Sequence, residues 1–385
     1  MPKKIYAGLL TGSFLVLILL SVYSYSQIDL NLTLSGNSAY QSFQNLMIVL
    51  GYFRRPVSAL IFFLLTVCLF FMQKYWLFLT EKFPLSGRQL LLLLVVTGAT
   101  GAIAYPAFSH DFFNYLFDAR IVTKYHLNPY LYTALDFPDD LWTRFMHWTH
   151  RTYPYGPVWL MVSIAVSYLG RQIFVLTMAG FKLMFFLLYL GNTYLIGRIS
   201  LSDGVKTARE NMLYFALSPL VIIESLVSPH NESMMLFFLL IFFYYYFQKR
   251  IKGSLIFLSL SALVKYLTTV VIPLVLFPPK KIRESREKFL YLVLASVGIM
   301  IIYLISLREA YPWYFLTVIG IVSLIHQPQI RNLTAVLSWA VLLRYLPYLY
   351  SGTYTELTAK TADIFLLVPL VLASLYLVSK NLIKS

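Results

Sequence analysis

The chain is 385 residues long, and 59% of them are hydrophobic while only 12% are charged. Together with a mean hydropathy of +0.71, this excludes an ordinary soluble domain and points to a polytopic membrane protein. The net charge of +15 is scattered in short Lys/Arg groups between apolar runs, a pattern that sets topology rather than a nucleic-acid surface; the single cysteine, Cys68, excludes a disulfide framework.

A helix needs about 20 apolar residues to cross a hydrocarbon core of about 30 Å. The first qualifying run, 5–26, follows Met1-Pro2-Lys3-Lys4 and reads as a retained span, because it is long and lacks a small-residue cleavage site. Further runs occupy 57–79, 88–106, 172–197, 211–227, 233–248, 289–307, 312–326, 333–349 and 362–380. Residues 157–170 read as a juxtamembrane or re-entrant helix. Basic residues lie on both sides of 253–278, with Arg250 and Lys252 before it and Lys280, Lys281, Arg283, Arg286 and Lys288 after it. The positive-inside rule therefore predicts a hairpin of two short helices broken near Lys265-Tyr266. The expectation is an all-α polytopic bundle of about 11–12 spans, one domain over 1–385, with both termini cytoplasmic.

Lys74, Lys82 and Arg88 on the inner side put the loop 107–156 outside. The same argument puts the loops 228–232 and 308–314 on that outer face. Within the first loop, Asp111, Asn114, Tyr115 and Asp118 fall on one helical face, and Phe112, Phe113, Leu116, Phe117 and Ile121 on the other. Such a helix is expected to lie in the membrane surface, aromatic stripe in the acyl boundary and polar stripe toward water or a cleft. Clusters such as Tyr244-Tyr245-Tyr246 belong to the interfacial aromatic belt.

The order Asp111, Tyr115, Asp118, Arg120, then Asn128-Pro129-Tyr130, then Tyr153-Pro154-Tyr155-Gly156-Pro157 resembles the first external loop of the GT-C superfamily of membrane glycosyltransferases. The nearest likeness is to polyprenol-phosphate-mannose-dependent mannosyltransferases. Ser218-Pro219 leading to His230-Asn231-Glu232, then Ala262-Leu263-Val264-Lys265 with Pro273, then Tyr311-Pro312-Trp313-Tyr314, follow in matching order. The chain departs from the pattern at Glu232, where the family commonly has Asp, and at His110, where a second acid often flanks the first. The resemblance implies a polyprenyl-phosphate hexose donor, most often mannose, and a lipid-linked or cell-surface glycan acceptor. It also implies an active site on the extracytoplasmic face of a multi-pass cell-membrane protein, with no nucleic acid involved.

The chemistry itself constrains the residues. Sugar transfer from a lipid phosphate to a hydroxyl passes through an oxocarbenium-like transition state; the phosphate needs no acid to leave, so one carboxylate that takes the acceptor proton suffices. Asp111 is the expected general base, against the alternative that it only caps its helix. Arg120, Lys265, His230 and Arg308 are the expected donor-phosphate ligands. Asp118, Tyr115, Asn114, Glu232 and Tyr153 are the expected acceptor or sugar contacts. The residues point to no certain cofactor, and a divalent metal is left open with Asp111 and Glu232 as candidate ligands. The competing reading is a transporter or flippase of lipid-linked sugars, which would place ionisable groups at midplane within paired repeats; no internal repeat is visible.

Overall fold

The computed structural model describes residues 1–277 and 285–382; Lys280, Lys281 and Arg283 of the expected inner basic run lie outside them. Among the described residues every regular element is helical. In chain order these are α1 (Lys3–Ser24), α2 (Ser38–Ile48), α3 (Arg55–Lys82), α4 (Gly87–Ala102), α5 (Asp111–Tyr125), α6 (Pro157–Leu169), α7 (Phe174–Ser200), α8 (Val205–Ala216) and α9 (Pro219–Ile222). They continue with α10 (Glu232–Phe247), α11 (Ile251–Val264), α12 (Ile272–Leu276), α13 (Arg286–Leu307), α14 (Leu316–Val322), α15 (Pro328–Ala340), α16 (Tyr345–Ser351) and α17 (Glu356–Leu382).

Among the described residues six helical stretches are long and apolar enough to cross a membrane: Lys3–Gln27, Arg55–Lys82, Phe174–Asp203, Arg286–Leu307, Pro328–Ser351 and Glu356–Leu377. A seventh is the pair Val205–Ala216 and Pro219–Val227, bent by 58°. The remaining apolar runs are helices of 10–17 residues, so the expected 11–12 full spans resolve into six or seven long ones and a set of short ones. At about 1.5 Å per residue, the 13 residues of α6 reach only about 20 Å, short of the hydrocarbon core.

The interruptions have local causes. Pro219 cannot donate its backbone nitrogen and restricts Ser218 before it, so the expected single helix 211–227 breaks there. The chain then runs through a π-helical turn, Ile223–Val227, closed by Ser228 N–H donating to Ile223 O (2.8 Å). At the other predicted break, Lys265 is extended (φ −156°, ψ 137°) between α11 and a 3-10 turn, Tyr266–Val271. The second break faces the first loop, where Gly156 N–H donates to Val264 O (3.1 Å).

Helix α5 is enclosed rather than laid on lipid. Phe112, Phe113, Leu116 and Phe117 are all buried, and their rings meet Phe145, Phe174, Phe181 and Phe137. The aromatic stripe that was expected in the acyl boundary is thus the core of the loop domain. Helices α5 and α6 run parallel in a constant register: Tyr115 packs edge-on against Trp159 (5.0 Å), and Thr123 Oγ1 bonds Ser167 Oγ (2.9 Å).

Candidate active site

Asp111 is the first residue of α5 and is 7% exposed. Its carboxylate does not cap the helix: Tyr155 donates its hydroxyl to Oδ2 (3.1 Å), and Arg151 Nη2 reaches Oδ1 at 3.5 Å. The segment 145–151 straps the first turn of α5. Phe145 O lies 3.1 Å from His110 Nδ1, the His147 ring stacks on His110 at 3.5 Å, and Asn114 Nδ2 donates to Trp148 O (3.2 Å). Burial pulls the His110 imidazole down to about 4, with its neighbour His147 adding to the effect.

Asp118, two turns along the same face, is buried with no hydrogen bond or ion pair among the described residues. Burial pushes its carboxyl up to about 8; the Arg151 charge opposes this and the Asp111 charge adds to it. The Tyr115 hydroxyl accepts from Asn231 N–H (3.4 Å), and its ring meets that of Tyr155 edge-on. The predicted face of Asp111, Asn114, Tyr115 and Asp118 is therefore one face in space.

The other two loops close over it. Glu232 is fully buried, and Lys265 Nζ is ion-paired with its Oε1 while Oε2 has no partner among the described residues. Lys265 lies over the rings of Tyr155 (5.7 Å) and Tyr314 (5.5 Å). Gly156 is what allows the first loop this close: its N–H donates to Val264 O (3.1 Å), and a Cβ there would sit 1.9 Å from Leu263 O. Behind Asn231, the buried His230 has Nδ1 2.9 Å from Glu224 Oε2, and Glu224 Oε1 accepts from the Tyr345 hydroxyl (2.9 Å). The His230 ring stacks on Trp313 (4.0 Å), which stacks in turn on Tyr311 (4.7 Å). Tyr311 brings the third loop within electrostatic range of Asp111. Burial pushes its phenol up, Glu309 and Asp111 add to this, and Arg308 and Arg151 oppose it.

Arg120 is not brought to this cluster. Nine residues along α5, about 13 Å from Asp111 by helical rise, it spends Nε on Asp140 (2.8 Å), Nη1 on Gln172 (2.6 Å) and its guanidinium face on Trp142 (4.0 Å). Burial alone would raise the Asp140 carboxyl. Donation from Lys124, Tyr125, its own loop N–H at Trp142 and Arg120 wins and holds it well below the usual carboxylate range. Tyr153 is a loop shaper that also borders the site: its N–H donates to Pro129 O (2.9 Å), its hydroxyl to Gly156 O (3.3 Å), and the nearby Asp118 charge helps burial push its phenol up. Asn128 Oδ1 accepts from Tyr130 N–H (3.0 Å), and the Tyr130 hydroxyl donates to Tyr155 O (3.1 Å), so the Asn-Pro-Tyr turn buttresses the Tyr-Pro-Tyr-Gly-Pro segment.

Among the described residues no three His, Cys, Asp or Glu side chains gather as a metal site; Asp111 and Glu232 each face a cation instead. Sequence reasoning missed Arg151, Glu224, Tyr345 and the pairing of Tyr155 with Asp111. Glu224 carried a usable signal, since it is the one acid in the apolar interval 211–231, and ionisable groups inside apolar spans mark functional positions. Arg151 carried none.

A polytopic helical bundle that folds three loops over a buried carboxylate beside lysine and arginine defines a membrane-embedded glycosyltransferase once its family is known. The chain belongs to the alpha-(1->6)-mannopyranosyltransferase, N-terminal domain, family, whose profile matches residues 21–278, more than half of its length. No curated protein and no solved structure matches it.

Proposed function

We propose that the protein transfers mannose from a polyprenyl-phosphate donor to a hydroxyl of a lipid-linked or cell-surface glycan, on the extracytoplasmic face, with inversion. The observation that carries this reading is Asp111: a buried carboxylate, bonded by Tyr155 and approached by Arg151, where the first loop meets the second and third. The acceptor oxygen forms its bond to the anomeric carbon as the bond from that carbon to the phosphate oxygen breaks. The hydroxyl proton passes to Asp111 and then to solvent, and polyprenyl phosphate leaves with the bonding electron pair. A single displacement on a β-linked donor gives an α-linked product, which agrees with the linkage in the family's name.

Lys265 and Arg308 are the cations proposed to meet the departing phosphate, with His230 behind them; Arg120 is left out because its donors are already used. Asn114, Tyr115, Asp118, Glu232 and Tyr153 would contact sugar. The outer face is supported by the inner-side grouping of Lys74, Lys82 and Arg88 and of Arg198, Lys206 and Arg209. The test is transfer from labelled polyprenyl-phosphate mannose by protein in liposomes. Asp111→Asn should lose about 100-fold or more in rate with an unchanged melting temperature. A wild type that carries the donor across the bilayer intact, for every glycan acceptor tried, would establish a transporter instead.

A further inference from the structure

The cations around Asp111 differ in how fully they are used. Arg120 is saturated by Asp140, Gln172 and Trp142, and Lys265 is held by Glu232. Arg151 is neither. Of its five N–H donors, the one hydrogen bond among the described residues is the contact to Asp111 at 3.5 Å, long for a charged pair, and its Nε is buried with no partner among them. The guanidinium lies on the face of Trp148 (4.8 Å), a flat support on which it can slide. Its side chain keeps 33% exposure, and it is felt electrostatically at Asp118, Tyr155 and Tyr311, so it stands where the first and third loops meet.

We propose that Arg151 masks Asp111 in the empty enzyme and leaves it for the phosphate of the lipid-linked donor, so that donor binding uncovers the base. A phosphate ester offers two oxygens to the guanidinium fork, including the idle Nε, where Asp111 offers one oxygen at 3.5 Å. The exchange moves one ion-pair partner and no bond. Once it has occurred, the Asp111 carboxylate is held by Tyr155 alone and can take the acceptor proton. An acceptor that arrives before the donor then meets a carboxylate still paired with Arg151.

This inference rests on the phosphate-linked donor proposed above, and it has a signature that a structural role for Arg151 lacks. The probe is farnesyl phosphate, with farnesol as its uncharged control, titrated into the full-length protein in detergent and followed by calorimetry. Arg151→Gln should weaken farnesyl phosphate about tenfold and leave farnesol unchanged. Asp111→Asn should tighten farnesyl phosphate by about three- to tenfold, because the guanidinium no longer has a competing carboxylate, and the double variant should show no such gain. Melting temperatures of all variants establish that they are folded. A wild type that binds and transfers, but whose Asp111→Asn variant gains no affinity, overturns the masking alone. Unchanged affinity in Arg151→Gln does the same. A wild type that neither binds farnesyl phosphate nor transfers mannose removes the donor reading and the masking together.

Discussion

Two carboxyls on one face of α5 sit in different electrostatic settings, and this divides their work. Asp111 has an arginine and a tyrosyl hydroxyl on it, whereas Asp118 has neither and is pushed up to about 8 from 3.8 by burial. At neutral pH Asp118 is therefore a neutral group, and Asp118→Asn should retain transfer within about tenfold while Asp111→Asn does not. The linkage has a definite sign. Between about 4 and about 8 the folded protein holds a proton that the unfolded chain has released, so Asp118 costs stability as pH rises through that window. Melting in detergent at pH 5 and pH 8 should show the wild type losing more than Asp118→Asn. The shared face was legible from spacing alone, because residues three, four and seven apart align on any helix. The charge state of Asp118 was not, because it depends first on how deeply the fold buries that side chain and then on Arg151, which the strap brings back from far along the chain.

At the level of elements, the break at Lys265 was legible, since an ammonium in an apolar run has to leave the helix or find a partner; here it does both. The shortness of α4, α10 and α14 and the bend after α8 set the span count apart from expectation, because hydropathy registers apolar length and not where a helix stops. The role of Arg120 was also out of reach, since its partner Asp140 lies in an irregular loop. That pairing fastens α5 to the loop after it. Arg120→Gln should cost about 3 kcal/mol of stability, the low end for a buried pair because Lys124 and Tyr125 remain on Asp140. Farnesyl phosphate affinity should be unaffected, which calorimetry and melting on one preparation would check.

Across the whole molecule, the family match ends at residue 278, but the site does not. Trp313 covers His230, Tyr345 holds Glu224, and Arg344 links Glu309 to Asp363 of α17. The last hundred residues are thus a brace for the second loop. Tyr345→Phe should lower stability by about 2 kcal/mol through the stranded buried carboxyl, and hydrogen exchange should localise the loosening to 223–231; protection unchanged there would contradict the bracing. The parallel register of α5 and α6 works differently. Because the alignment of Asp111 with Tyr155 is set by side-by-side packing through Tyr115–Trp159 and Thr123–Ser167, it does not depend on how much chain connects the two helices. The connection from Asn128 to Tyr153 is pinned at its ends by Tyr153 N–H on Pro129 O. Residues inserted at its exposed tip, near Leu135 and Asp139, would add an appendage without shifting Asp111. A segment can accordingly be grafted on that tip, as loops are exchanged on a fixed barrel, while Asp111 and Tyr155 keep their alignment.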